Sequence, residues 1–334
     1  MEDKFGHRIS YLRISITDRC NERCGYCMPG EEQQWLPRSD VLRYEEILRV
    51  LRVGASLGIT KVRITGGEPL TRRDVVWFLE QVARVEGIRD LGLSTNGTLL
   101  ARPLPDGRIT AQALRTAGVG SVNISLDTLD RAAYAKTTGR DLLPEVLSGI
   151  EAVREAGIER IKLNTVLMRH RNEHELWNLA EFARERDLVL RFIELMPVST
   201  TEVLTKDNFL SSQEARHLLE YRLGKLVPRP DIHTNGPASY YEVAATGQIV
   251  GFIGAMTNLH FCESCNKLRL TCEGKLRPCL GSHLEFDLRS VLRDPAASDD
   301  DLARFILGVV ERKPEQHDFR DNYQPGRRMI AIGG

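Results

Sequence analysis

Only 6% of the 334 residues are aromatic, seven are cysteine, and 46 Lys and Arg balance 46 Asp and Glu, leaving no net charge. Each shortage excludes something. Without a global field the chain has nothing to draw in nucleic acid or a membrane, so an anionic partner must meet a local cluster of cations. Seven cysteines are too few for a disulfide scaffold, and six of them fall in two closely spaced groups of three, which in a reducing compartment points to metal or redox chemistry. No apolar run reaches spanning length, and residues 1–10 are charged where a signal peptide needs an apolar core. These absences predict a cytoplasmic protein without membrane contact, long enough for one large domain and a smaller one.

What is present is alternation of strand and helix signals. Apolar or β-branched runs at 12–16, 61–65, 90–94, 122–126, 161–167 and 189–194 are each followed by a stretch of helical period, at 44–57, 74–85, 110–117, 144–156, 173–186 and 213–221. Gly58, Gly87, Gly118 and Gly157 lie just past helix ends. The six units predict an α/β fold, an incomplete (βα)6 TIM-like barrel, although an open doubly wound sheet gives the same local pattern. After residue 226 the pattern changes to a Pro- and Gly-rich loop, extended segments around Gly247, a hairpin at Glu273 and Gly274, and helices near 284–292 and 300–312. The expected division is 1–226 for the partial barrel and 227–334 for a smaller α+β domain.

Cys20, Cys24 and Cys27 form C-x3-C-x2-C directly after the first strand. Three thiolates are one short of closing a four-iron cluster, so one iron stays open to an external ligand. Structural zinc is the alternative, but it wants four protein ligands and the motif contains no histidine. Cys262, Cys265 and Cys279 repeat the three-cysteine arrangement in the second half, where zinc ribbons use similar spacing and Cys272 or His260 could complete a zinc set. Polar turns recur at strand ends, in Ser94-Thr95-Asn96-Gly97, Ser125-Leu126-Asp127 and Glu194-Leu195-Met196-Pro197. Singly each reads as helix capping; in a parallel barrel those ends share one rim, where active sites are built.

Covered strands normally read as apolar runs, yet Arg13, Lys61, Arg63, Lys162 and Arg191 interrupt these. Side-chain alternation puts Lys61 with Arg63, and Lys162 with Asn164, on common faces. Snorkelling at strand ends explains any one of them. Five together suggest a cavity lined with cations, suited to a multiply charged anion such as a triphosphate.

The run from Cys20 through Cys27, followed by Gly66-Gly67-Glu68-Pro69 after the next strand, resembles the radical S-adenosylmethionine superfamily. Over 8–334 the chain further resembles the GTP 3′,8-cyclase family, which opens molybdenum cofactor biosynthesis, through Thr17-Asp18-Arg19-Cys20, Cys27-Met28-Pro29, Arg63-Ile64-Thr65-Gly66 and a Gly333-Gly334 tail. The resemblance implies two [4Fe-4S] clusters, on Cys20, Cys24 and Cys27 and on Cys262, Cys265 and Cys279, with S-adenosylmethionine on the open iron of the first. It implies that an adenosyl radical takes hydrogen from C3′ of GTP and that the sugar then joins C8 of the base, giving (8S)-3′,8-cyclo-7,8-dihydroguanosine 5′-triphosphate. Residue by residue it assigns S-adenosylmethionine to Tyr26, Gly67, Ser125 and Met196. The nucleotide falls to Arg13, Arg63, Ser94, Lys162, Lys267 and Arg269, with Lys61 and Arg191 as further cations. Gly333 and Gly334 would enter the active site, against the ordinary reading of a frayed terminus. Lys267 departs from an arginine common in the family and Ser94 from a threonine, while Cys272 has no counterpart and reads as a structural thiol. Implied partners are a reductant such as flavodoxin or ferredoxin, cyclic pyranopterin monophosphate synthase downstream, and a second copy of the chain. The competing readings are another radical enzyme with an auxiliary cluster, such as a peptide-modifying maturase, and a zinc-bearing nucleic-acid-binding module.

Overall fold

Apolar and polar residues alternate along the strands because each strand has helices on one side and a cavity on the other. In the computed structural model, which describes residues 1–28, 34–199, 203–232, 236–321, 323–324, 326–327 and 329–333, six strands lie side by side and parallel. They are β1 (Tyr11–Ser15), β2 (Lys61–Thr65), β3 (Asp90–Thr95), β4 (Ser121–Ser125), β5 (Arg160–Leu167) and β6 (Val189–Glu194). Leu12, Ile14, Val62, Ile64, Leu91 and Leu93 face the helices and are buried in one continuous core. Each such side chain contributes about 1.5–3 kcal/mol on leaving water.

The crossover helices Tyr44–Ser56, Val75–Ala83, Thr110–Thr116, Leu143–Glu155 and Leu176–Glu185 match the helical periods, as does Ser212–Leu223 after β6. One helix had no periodic signal. Arg131–Thr138 buries only Tyr134, Thr137 and Thr138 and is defined by its ends, with the Asp130 carboxylate accepting from the Ala133 N–H and Gly139 closing it in the left-handed region.

The second half supplies β7 (Leu226–Pro228), β8 (Ser239–Val243), β9 (Ile249–Ile253), β10 (Lys267–Leu270), β11 (Lys275–Arg277) and β12 (Phe286–Asp287). These build no separate sheet: β10 runs parallel beside β1, β9 runs parallel beside β6, and the others extend each edge antiparallel. The result is an open mixed sheet in the order β12-β11-β10-β1-β2-β3-β4-β5-β6-β9-β8-β7, with the incomplete barrel at its centre. Among the described residues no helix is long and apolar enough to cross a membrane.

Candidate active site

The inward faces of the central strands meet in register. Arg13 lies between Arg269 and Arg63. Ser94 lies beside Asn123, which lies beside Lys162, and Arg191 lies between Asn164 and Gly251. All of them except Gly251 line one cavity of about 380 Å³, a volume within the range of small-molecule sites.

Two glycines make room for the arginines. A Cβ on Gly92 would come within 2.6 Å of both Arg63 Nη2 and Ser121 Oγ, and one on Gly251 within 3.0 Å of Arg191 Cγ. Glycine inside a strand is the sequence signal for such close approach. Sequence reasoning passed over both.

The cations differ in how far the protein already occupies them. Arg63, 5% exposed, donates to Tyr11 Oη at 2.9 Å, the Leu93 carbonyl at 2.8 Å and Ser121 Oγ at 2.9 Å. Lys61 is paired with Asp90 at 2.6 Å, and Arg191 donates twice to Asn164 Oδ1, at 3.0 and 2.7 Å. Lys162 makes no ion pair among the described residues. Burial, reinforced by Arg191, Arg63, Lys61 and Arg160, holds its ammonium down at about 7. Beside it the buried Ser94 Oγ and Asn123 Oδ1 lack a hydrogen-bond partner among the described residues. Buried polar atoms are normally satisfied, so these two mark a place built for a ligand.

Tyr11 stands among these cations and was also missed in the sequence. It is buried, with Lys61 and Lys267 ammonium groups 5.2 and 5.7 Å from its ring centre. Burial raises its phenol pKa, but Arg63, Arg13 and Lys61 outweigh that and bring it down to about 8. Lys267 and Arg269 follow on β10, where burial and the neighbouring Arg13 push Arg269 down to about 9.

The first cysteine loop is held against the end of β2. The Gly67 N–H donates to the Thr17 carbonyl at 2.7 Å and the Glu68 N–H to the Arg19 carbonyl at 2.8 Å. A Cβ on Gly67 would lie 2.3 Å from the Arg19 oxygen, so backbone packing on the cysteine loop already demands glycine there. Cys20, Cys24 and Cys27 line the cavity floor with Gly67, Tyr26, Ser125 and Met196. Tyr26 donates to Asp127 at 2.7 Å. Glu68, fully buried, accepts from the Leu70 and Asn96 N–H groups and from Thr95 Oγ1.

Burial pushes the Cys20 and Cys27 thiols up to about 12 and Cys24 well above its ordinary range. Desolvation disfavours bare thiolates, and bound iron removes that cost, so three partly buried thiols at one wall fit an iron cluster. Among the described residues no three His, Cys, Asp or Glu side chains converge on a single metal position. The three thiols do line one cavity, and a four-iron cluster takes one thiolate per iron.

Cys262, Cys265 and Cys279 line the same cavity from the other side. Neither alternative zinc ligand joins them: His260 is exposed and paired with Glu263 at 2.6 Å, and Cys272 is buried beside Glu273, away from the cavity.

The tail reaches this cavity as well. Met329 and Ile330 line it, and the Gly333 carbonyl accepts from Arg269 Nη1 at 2.8 Å. Gly333 is buried at φ +86°, and a Cβ there would lie 2.8 Å from Thr65 Cγ2 and 3.0 Å from Ser15 Cβ. Gly334 and Pro29 lie outside the described residues.

Comparison with known proteins places this site in a lineage. Residues 14–183 match the family model for the radical SAM superfamily, and residues 188–319 match that for Molybdenum Cofactor Synthesis C. The GTP 3′,8-cyclase of Thermodesulfovibrio yellowstonii is 42% identical over 335 residues, spanning 100% of both chains. That of Erythrobacter litoralis is 46% identical over 341 residues, covering 99% of this chain and 98% of its own. The chain belongs to the GTP 3′,8-cyclase family. Membership in this radical SAM family implies a [4Fe-4S] cluster and S-adenosylmethionine. Among solved structures, Streptococcus suis SuiB bound to its precursor peptide SuiA has a TM-score of 0.60 at 16% identity, over 98% of this chain and 76% of that one. SuiB bound to S-adenosylmethionine gives 0.56 at 17%, over 87% and 67%. At those identities the likeness is one of fold.

Proposed function

We propose that the chain is a radical S-adenosylmethionine lyase that converts GTP to (8S)-3′,8-cyclo-7,8-dihydroguanosine 5′-triphosphate for molybdenum cofactor biosynthesis. The observation that carries this reading is one cavity with a cysteine triad on each side and, between them, a cationic sheet face holding the unsatisfied Ser94 and Asn123. A radical enzyme acting on a peptide needs an open groove; this wall suits a compact polyanion.

On this reading Cys20, Cys24 and Cys27 hold the first cluster, and Tyr26, Gly67, Ser125 and Met196 hold S-adenosylmethionine. Together the bound cluster and cofactor supply one-electron cleavage and an adenosyl radical. Cys262, Cys265 and Cys279 hold a second [4Fe-4S] cluster in the half beginning near residue 227. Lys162, Arg13, Lys267 and Arg269 meet the nucleotide, with Ser94 and Asn123 placed for hydrogen bonds. Arg63, Arg191 and Lys61 support that wall through their ties to Tyr11, Asn164 and Asp90. Gly333 completes the site beside Arg269, and a catalytic part for Gly334, which lies outside the described residues, belongs to the same proposal. A reductant such as flavodoxin or ferredoxin, cyclic pyranopterin monophosphate synthase downstream and a homodimeric state belong to the same proposal.

The test is anaerobic incubation of reconstituted protein with S-adenosylmethionine, dithionite and GTP. Both 5′-deoxyadenosine and the cyclised nucleotide are expected. Formation of 5′-deoxyadenosine alone would retain the radical chemistry and remove GTP as substrate.

A further inference from the structure

Lys313 is 2% exposed, yet it makes no ion pair with any carboxylate among the described residues. It sits just past the helix Asp299–Glu311, where its N–H bonds to the Val310 carbonyl and Pro314 ends the run. Its ammonium donates to the Pro278 carbonyl at 2.6 Å, the Lys267 carbonyl at 3.3 Å and Cys265 Sγ at 3.4 Å. One buried cation therefore ties together a cysteine of the second triad, the residue before another, and the strand that carries Lys267 and Arg269.

A buried ammonium without a counter-ion is costly, and burial of an unpaired charge is tolerated where an opposite charge is built beside it. The opposite charge here is the thiolate set. Three thiolates on a 2+ four-iron core leave about one net negative charge, and an N–H···S bond to one of them stabilises the more negative state. Carbonyl oxygens alone orient the ammonium but do not neutralise it.

We infer that Lys313 is a positioning residue for the second cluster, neutralising it through Cys265 and raising its reduction potential. This rests on the second triad holding an iron-sulfur cluster, as proposed above. In the reduction concerned, one electron from dithionite takes the cluster from 2+ to 1+ without a bond being formed or broken.

The experiment uses full-length, anaerobically reconstituted protein, with iron and sulfide analysis followed by potentiometric titration read by electron paramagnetic resonance. Added S-adenosylmethionine perturbs the first cluster and so separates its signal from that of the second. Lys313→Gln and, as a second neutral variant, Lys313→Met are expected to shift the second cluster to a more negative potential, while Lys313→Arg stays near the original. Loss of the second cluster in the neutral variants but not in Lys313→Arg also supports the inference. An unchanged potential in a neutral variant, or equal shifts or equal cluster loss in neutral and Arg variants, overturns it. If the unsubstituted protein carries iron only at the first triad, the second-cluster reading itself fails, and that is seen before any substitution is made.

Discussion

At Gly92 the strand gives up a side chain so that its neighbour can lie flat across it. Valine there would drive a methyl-bearing carbon into Arg63 Nη2 and Ser121 Oγ, both 2.6 Å from the Cβ position. Gly92→Val is expected to cost about 1.5–3 kcal/mol in stability, the range for a lost hydrogen bond to a charged group, and to weaken GTP binding at least tenfold. Denaturant unfolding and calorimetric titration read the two effects, and an unaltered variant would mean that the arginine has another seat. Lys162 gives a prediction in pH. Burial and the surrounding cations lower its pKa from 10.5 to about 7. In the ligand-free protein the cost of holding it charged is fully present below about pH 7 and is relieved as the pH climbs toward 10.5, because across that window the unfolded chain binds more protons than the native one. A bound polyphosphate favours the charged form. GTP binding above pH 7 should therefore take up a proton and weaken as the pH rises. Titration calorimetry in buffers of different ionisation enthalpy checks this, and Lys162→Met should reduce the proton uptake just above pH 7, leaving that of Tyr11 and Arg269, while lowering affinity about tenfold or more.

Among elements, the tail is the smallest and the most exacting. Gly333 combines a left-handed φ with contact against β1 and β2, so alanine there would pay about 1–2 kcal/mol for the backbone and also press on Thr65 and Ser15. Gly333→Ala is expected to relieve that strain by undocking the tail, which keeps the iron content and the unfolding midpoint while cutting cyclisation at least about tenfold. A chain lacking both terminal glycines should behave likewise and regain part of its activity when a peptide of the tail sequence is added. Full activity in the truncated chain would detach the tail from catalysis. The six central strands were legible as short apolar or β-branched runs between helical periods, and Arg13, Lys61, Arg63, Lys162 and Arg191 stood out because covered strands otherwise lack such interruptions. Spacing alone singled out the six cysteines that line the cavity. Helix Arg131–Thr138 was not, since it buries too little to leave a period. Tyr11 and Asn123 looked like ordinary strand residues, and their surroundings come from strands distant in sequence. Lys313 likewise gains its meaning only when a helix end meets Cys265.

On the scale of the whole molecule, the two halves share one sheet. β10 pairs with β1 and β9 with β6, so residues beyond 226 cover both edges of the central strands. The helix Asp299–Glu311 joins the same core, with Leu302, Ile306 and Val309 in the cluster that holds Leu48 and Leu51. Arg293 pairs with the buried Glu46 at 2.8 Å, and Arg49 pairs with Asp299 at 2.7 Å. No local sequence pattern announces these pairings, because the partners of β1, Glu46 and Arg49 stand about 250 residues away, those of β6 about 60, and each segment reads as a strand or helix in its own right. The arrangement has a consequence for the division near residue 226. A fragment ending there would leave the outer edges of β1 and β6 unpaired and expose the apolar surface under the last helices, and such edges are templates for aggregation. We therefore expect residues 1–226 made alone to be aggregated or to bind a hydrophobic dye without cooperative unfolding, even when the first cysteine triad is supplied with iron and sulfide. Co-expression with residues 227–334 should restore a soluble complex that elutes as one species and unfolds in a single transition, the regained edge pairing and core burial outweighing the entropy of association. A monomeric fragment 1–226 with a sharp transition of its own would show instead that the central strands are stable without their covered edges, and would make the second half an independent domain rather than the completion of the first.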